Sequence, residues 1–169
     1  MSTTVDAVQT DSGLVTRTEI TDPRERLLFI QRLFATPQGE QMAINFMRLH
    51  CADYDGRFWD FYDLPRGISG CIAPGVDTHT TFRTGYIAPP EGTYRLSIPG
   101  NYFDAEVSAD AAGLIATLFV LNQLSWTVSE MGPAYAETCQ ALVERQDALK
   151  DYISITGHPE RHLIFKAID

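Results

Sequence analysis

Residues 102–124, YFDAEVSADAAGLIATLFVLNQL, constrain the fold more than any other stretch of the chain. Tyr102, Asp104 and Glu106 fall on one face of a two-residue period, with Phe103, Ala105 and Val107 on the other, which is the pattern of a half-buried strand. Ser108 follows, where a hydroxyl can accept the unpaired N–H groups of a helix's first turn, and Asp110 in that turn faces the positive end of the helix dipole. The helix that comes next is apolar on most faces. Such a helix has little to offer to water and belongs in the core, so the rest of the chain must be arranged around it.

Periodicity divides what lies on either side. Asp22 before Pro23 is a helix start, because proline suits the first helical position and Asp can cap it. Leu27, Leu28, Ile30, Leu33 and Phe34 then make an apolar stripe, and a second helix is predicted from about Gln38 to Ala52 on Met42, Phe46, Met47 and Leu49. From Arg57 the period becomes two, with aromatic bulk on both faces of Arg57–Leu64, so this strand is expected to be central in its sheet. Pro65-Arg66-Gly67 is read as the turn of a hairpin to a second strand, Ile68–Ala73. A Pro/Gly-rich loop to about Thr93 precedes a second hairpin, Tyr94–Ile98 with Tyr102–Val107. Three helices follow, over about 110–130, 134–155 and 159–168. The expected fold is α+β: an antiparallel meander of about four strands packed with about five helices.

Composition narrows the class. A chain of 169 residues that is 44% hydrophobic fills one core of common size, so a single domain over 21–169 is expected behind a flexible tail of residues 1–20 ending in a short strand. The apolar-rich run Ala111–Leu121 is shorter than the roughly 20 residues a bilayer requires. The start, MSTTVDAVQTDSG, has no apolar stretch of the signal type. A soluble, cytoplasmic protein without a membrane partner is the expectation. Cys51, Cys71 and Cys139 are odd in number and lack CxxC spacing, and read as reduced thiols in or near the core.

A net charge of −9 argues against binding duplex DNA, which needs a basic footprint. Mimicry of DNA is a different matter, but a duplex as long as a globule of this size would show on the order of 20 charges on one face. Here 22 acidic residues are interspersed with 13 basic ones. Only 101–133 departs from the mixture, holding Asp104, Glu106, Asp110 and Glu130 and no Lys or Arg, a local patch rather than a rail.

No catalytic constellation stands out. Asp53-Tyr54-Asp55-Gly56 opens like a calcium loop but has Leu64 where a bidentate Glu is required; it reads as a turn. His158 and His162 are four apart, yet Pro159 lies between them and no third ligand is near, so histidines at a helix terminus are the plainer reading. Asp60, Asp63, Asp104 and Glu106 could meet across neighbouring strands as an acid pair for a metal-dependent hydrolase or nuclease; a solvated acidic sheet face is the simpler expectation. Phe58, Trp59, Phe61, Tyr62, Tyr102 and Phe103 could stack on single-stranded nucleic acid, but the bases that would surround such a platform are few, and core packing is expected. No cofactor is called for.

The blocks SADAAG (108–113) with LIATLFVLNQL, GRFWDFYDL (56–64) and the terminal IFKAID resemble the antirestriction family of the KlcA/ArdB type, in order from about Arg24 to Asp169. That resemblance implies a protein carried by plasmids and mobile elements that blunts host type I restriction-modification and so protects incoming DNA. Its partner would be the restriction system or an associated host factor. Together with the residues it suggests a non-enzymatic inhibitor working through protein contacts, with Asp104, Glu106, Asp110, Asp60 and Asp63 as candidate partner-binding residues.

Overall fold

The computed structural model describes residues 3–10, 13–56, 58–64, 68–73, 76–80 and 83–169. In chain order its elements are β1 (Thr3–Thr10), β2 (Gly13–Ile20), α1 (Pro23–Phe34), α2 (Gly39–His50), β3 (Asp60–Leu64), β4 (Ile68–Ala73), β5 (Val76–Thr80), β6 (Thr84–Ala88), β7 (Thr93–Ile98), β8 (Phe103–Ser108), α3 (Ala109–Ser129), α4 (Ala136–Ile155) and α5 (Arg161–Ile168). Helices and antiparallel strands make an α+β architecture, as expected.

The helix starts obey local chemistry. Asp22 caps α1 by accepting from the Glu25 N–H at 3.1 Å, with Pro23 in the first turn, and Ser108 caps α3 by accepting from the Ala111 N–H at 3.2 Å. α3 is the core helix. Leu114, Ile115, Leu118 and Leu121 are all buried, and the helix packs against α4, β6, α2 and α5. At 21 residues it is long and apolar enough to cross a membrane, longer than the run Ala111–Leu121 suggested, yet its apolar surface is spent on protein.

Two residues set how closely α3 lies on the sheet. A Cβ at Gly113 would collide with the Ile87 carbonyl oxygen and with Ala88. Thr117, fully buried, bonds both ways to Ile87, its oxygen accepting from the backbone N–H at 3.2 Å and its hydroxyl donating to the carbonyl at 3.3 Å. The helix is thereby stitched to a strand without leaving a polar atom unpaired.

Strand pairing departs from the expected meander. The strands form a four-stranded sheet in the order β1-β2-β3-β6 and two separate pairs, β4-β5 and β7-β8. The second expected hairpin is present, with Arg95 opposite Glu106 and Ile98 opposite Phe103. The first is not: β3 pairs with β2 and β6 rather than with β4. β3 is central in its pairing all the same. The expected turn Pro65–Gly67 lies outside the described residues. Residues 1–20, expected as a tail with one short strand, contain β1 and β2, and the expected loop to Thr93 contains β5 and β6. All five residues of β6 are buried, so TGYIA shows no polar/apolar alternation, and periodicity had nothing to detect.

Candidate functional site

A cleft of about 800 Å3 opens where β2, β3 and the start of α3 meet the segment between α4 and α5; Arg17, Asp60, Tyr62, Asp110, His158 and Glu160 are among its walls. Each arrives by a different route. Asp110 stands in the first turn of α3 because Ser108 has ended the strand before it. Arg17 comes from β2, and its guanidinium carbon lies 4.2 Å from the centre of the Tyr62 ring on β3. Gly157, at φ +63°, adopts the left-handed conformation that turns the chain after α4, and so brings His158 back over the start of α3.

The groups then interlock. The Tyr86 hydroxyl donates to Asp110 Oδ1 at 2.7 Å. An Arg17 N–H donates to the same carboxylate oxygen at 3.2 Å and to the Tyr86 oxygen at 2.7 Å. The Glu160 backbone N–H donates to His158 Nδ1 at 3.0 Å, which places the ring proton on Nε2, and Nε2 meets Asp110 Oδ2 at 2.8 Å. Burial alone would raise the Asp110 carboxyl; the hydrogen bonds from His158 and Tyr86 and the charge of Arg17 outweigh it, and the group is held below its ordinary value. Tyr86, fully buried, is pushed well above the ordinary phenol value chiefly by that burial. Beside this network the Ser108 hydroxyl donates to a Glu160 carboxylate oxygen, and the other Glu160 oxygen accepts from the Ser108 N–H at 2.9 Å.

Such an arrangement ties the first turn of α3 to β2, β6 and the segment before α5. Both His158 nitrogens are engaged, Asp110 is satisfied by three donors, and the Ser108 hydroxyl is both donor and acceptor. Among the described residues, no three His, Cys, Asp or Glu side chains are grouped to hold a metal ion. His158, weighed in the sequence as half of a metal pair, is instead the clasp on Asp110.

The carboxylates that could have met across strands are apart. Asp63 is 5% exposed, against the expectation of a solvated face. Arg83 grips it at 3.2 and 2.5 Å and Arg32 adds 3.2 Å, so its charge is compensated inside the fold. Asp104 and Glu106 do face outward from β8, in a different sheet from β3, and Asp104 accepts from Arg95 Nε at 3.1 Å. Arg95 on β7 and Arg17 on β2 thus put positive charge beside a patch that has none along residues 101–133. Asp60 remains at the cleft, part-buried at the start of β3; burial raises its carboxyl, with Arg26 pulling the other way.

The aromatic run splits. Trp59, Phe61 and Phe103 are in the core, as expected, whereas Phe58 and Tyr102 are exposed. Cys51 is buried too, and burial followed by the bond to Asp53 pushes its thiol up to about 11; the Cys71 side chain lies outside the described residues. Arg17, Tyr86 and Glu160 were not singled out in the sequence. Arg17 falls in the stretch read as a tail, Tyr86 in the stretch read as a loop, and no spacing signal links either to Asp110.

Comparison with known proteins agrees with this architecture. The model of a family described as "Antirestriction protein" matches residues 52–169. Two Escherichia coli proteins named Antirestriction protein KlcA are similar: one is 36% identical over 152 residues, covering 86% of this chain and 88% of its own length, the other 33% over 150 residues, covering 86% and 89%. A solved chain also superposes, with a TM-score of 0.62 and 30% identity over 90% of this chain and 95% of its own. It comes from work on the KlcA and ArdB proteins that describes a novel fold and antirestriction activity against type I DNA restriction systems in vivo but not in vitro. This chain belongs to the antirestriction protein family.

Proposed function

We propose that this protein protects incoming DNA against host type I restriction inside the cell, and that it does so without catalysis, through contact with a host protein. The observation that carries the reading is likeness along nearly the whole chain, in sequence to KlcA and in fold to a structure whose proteins act in vivo but not in vitro. Activity that requires the cell favours a partner beyond the purified restriction enzyme alone: either a state of the restriction system that exists only in the cell, or a host factor associated with it. The internal geometry supports a non-catalytic role, because Asp63 is spent on arginines while Asp104 and Glu106 lie in a separate sheet from Asp60, which takes from a metal-dependent nuclease the carboxylates it would need.

The test is plating of unmodified phage on a type I restricting strain with and without the protein. Plating restored toward that on a restriction-deficient strain is expected; no protection in several such hosts would refute the reading. Purified protein should also fail to bind duplex DNA. With a net charge of −9, anisotropy at low salt should show no saturable complex, and a salt-sensitive micromolar one would contradict this.

A further inference from the structure

Two clefts share Asp60. The larger is the one described above. The smaller, about 560 Å3, lies between α1 and β3, and Leu27, Phe58, Glu19 and Glu40 are among its walls. Phe58 is 92% exposed and Leu27 71%, so apolar bulk stands in water beside a carboxylate. In the larger cleft Asp110 and His158 are held by donors and acceptors of the fold itself. By contrast, no hydrogen bond or ion pair to a described residue occupies the Asp60 carboxylate. Arg26, the cation that influences it, is committed elsewhere: its guanidinium donates to the carbonyl oxygens of Ile20 at 3.3 Å and Trp59 at 2.6 Å and lies 3.7 Å from the centre of the Phe61 ring.

A part-buried carboxylate without a hydrogen-bond donor has lost hydration that the charge of Arg26 alone offsets, so it gains from an incoming cation. Glu19 and Glu40 line the same cleft as Leu27 and Phe58, so its charged walls are mostly acidic, with Arg26 held by backbone carbonyls. We infer that the cleft between α1 and β3, with Asp60 at its edge, is the docking surface for a basic segment of a protein partner, in which a Lys or Arg side chain reaches Asp60 while a neighbouring apolar side chain covers Leu27 and Phe58. Nucleic acid would bring phosphates against Asp60, Glu19 and Glu40. A free polyamine would neutralise Asp60 and leave the apolar side chains in water. The inference rests on the non-catalytic, protein-contact reading above and names the surface and the partner chemistry for it.

Fluorescently labelled peptides titrated against the whole protein test it: one intersperses arginine with leucine, a second carries the same arginines among serines. The first should bind saturably and more tightly than the second. Asp60→Asn should weaken it about tenfold or more, Leu27→Ser should weaken it several-fold, and the pair Asp104→Asn with Glu106→Gln should leave it unchanged. Leu27 is exposed and Asp60→Asn is isosteric, so unchanged circular dichroism and denaturation midpoints are expected. Absence of binding, indifference to Asp60→Asn, or equal weakening by the Asp104/Glu106 pair would overturn the site, the last by reducing the effect to diffuse attraction. Equal binding of both peptides would overturn its apolar half. In the phage assay, full protection by a folded Asp60→Asn/Leu27→Ser protein would overturn the docking surface and leave antirestriction standing. Failure of the wild type would strike the antirestriction reading instead, and the peptide titration then decides the surface alone.

Discussion

Asp104 and Asp110 stand six residues apart, on either side of one strand-to-helix junction, and have opposite roles. Asp104 is 61% exposed and meets one equally exposed arginine from the adjacent strand. Asp110 is 33% exposed and is held by Arg17, Tyr86 and His158, which come from β2, β6 and the segment after α4. One carboxylate decorates a surface; the other ties three distant parts of the chain to the first turn of the core helix. Local charge counts treat the two alike, and what separates them is how much water each has given up and how many donors replaced it.

Substitutions along this gradient should separate the roles. The largest effect belongs to the apolar body of α3: Leu118→Ala should cost about 2 to 5 kcal/mol in chemical denaturation through lost transfer energy and the cavity left behind. A loss close to zero would show that the helix beneath Asp110 is not central. Asp63→Ala should come next, at about 1 to 3 kcal/mol. Removing one partner of a buried pair strands the other, but Arg32 and Arg83 are 40% and 47% exposed and recover part of their hydration.

Asp110→Asn should cost about 1 to 2 kcal/mol at neutral pH, the scale of lost hydrogen bonds to a charged group. Its pH dependence is the sharper measurement. A carboxyl held below its ordinary value stabilises the fold above the unfolded value of about 3.9, and that contribution disappears as pH falls through the folded value. The stability gap between wild type and Asp110→Asn should therefore be full at neutral pH and close at the acid end; a gap that stays constant would mean that shape, not charge, is what Asp110 supplies. Smallest of all, Asp104→Asn with Glu106→Gln should leave the denaturation midpoint unmoved. A clear drop would erase the contrast with Asp110.

Much of the secondary structure was legible in the residues because its causes are local. The outward face of Asp104 and Glu106, the cap at Ser108, the cap and proline opening α1 and the apolar course of α3 each follow from contacts within a few positions, whereas Tyr102, at φ +52°, lies outside β8. β6 was illegible for an equally physical reason: a strand covered on both faces carries no alternation. Its Tyr86 was then lost from view, and with it one of the donors to Asp110.

By itself, then, the sequence determined the five helices among the described residues, the solvent face of β8 and an acidic balance. Residues 56–64, 108–124 and 164–169 also pointed to the family. Only tertiary structure decided that β3 pairs with β2 and β6, that Asp63 is buried between arginines, and that Asp110 joins Arg17 and His158 across separations of 93 and 48 residues. The division follows from the range of the forces. Capping and periodicity act over a turn or a pleat and leave a mark in neighbouring residues, whereas strand partners and ion pairs are chosen by summed burial over the whole core, and no short window of sequence contains that sum.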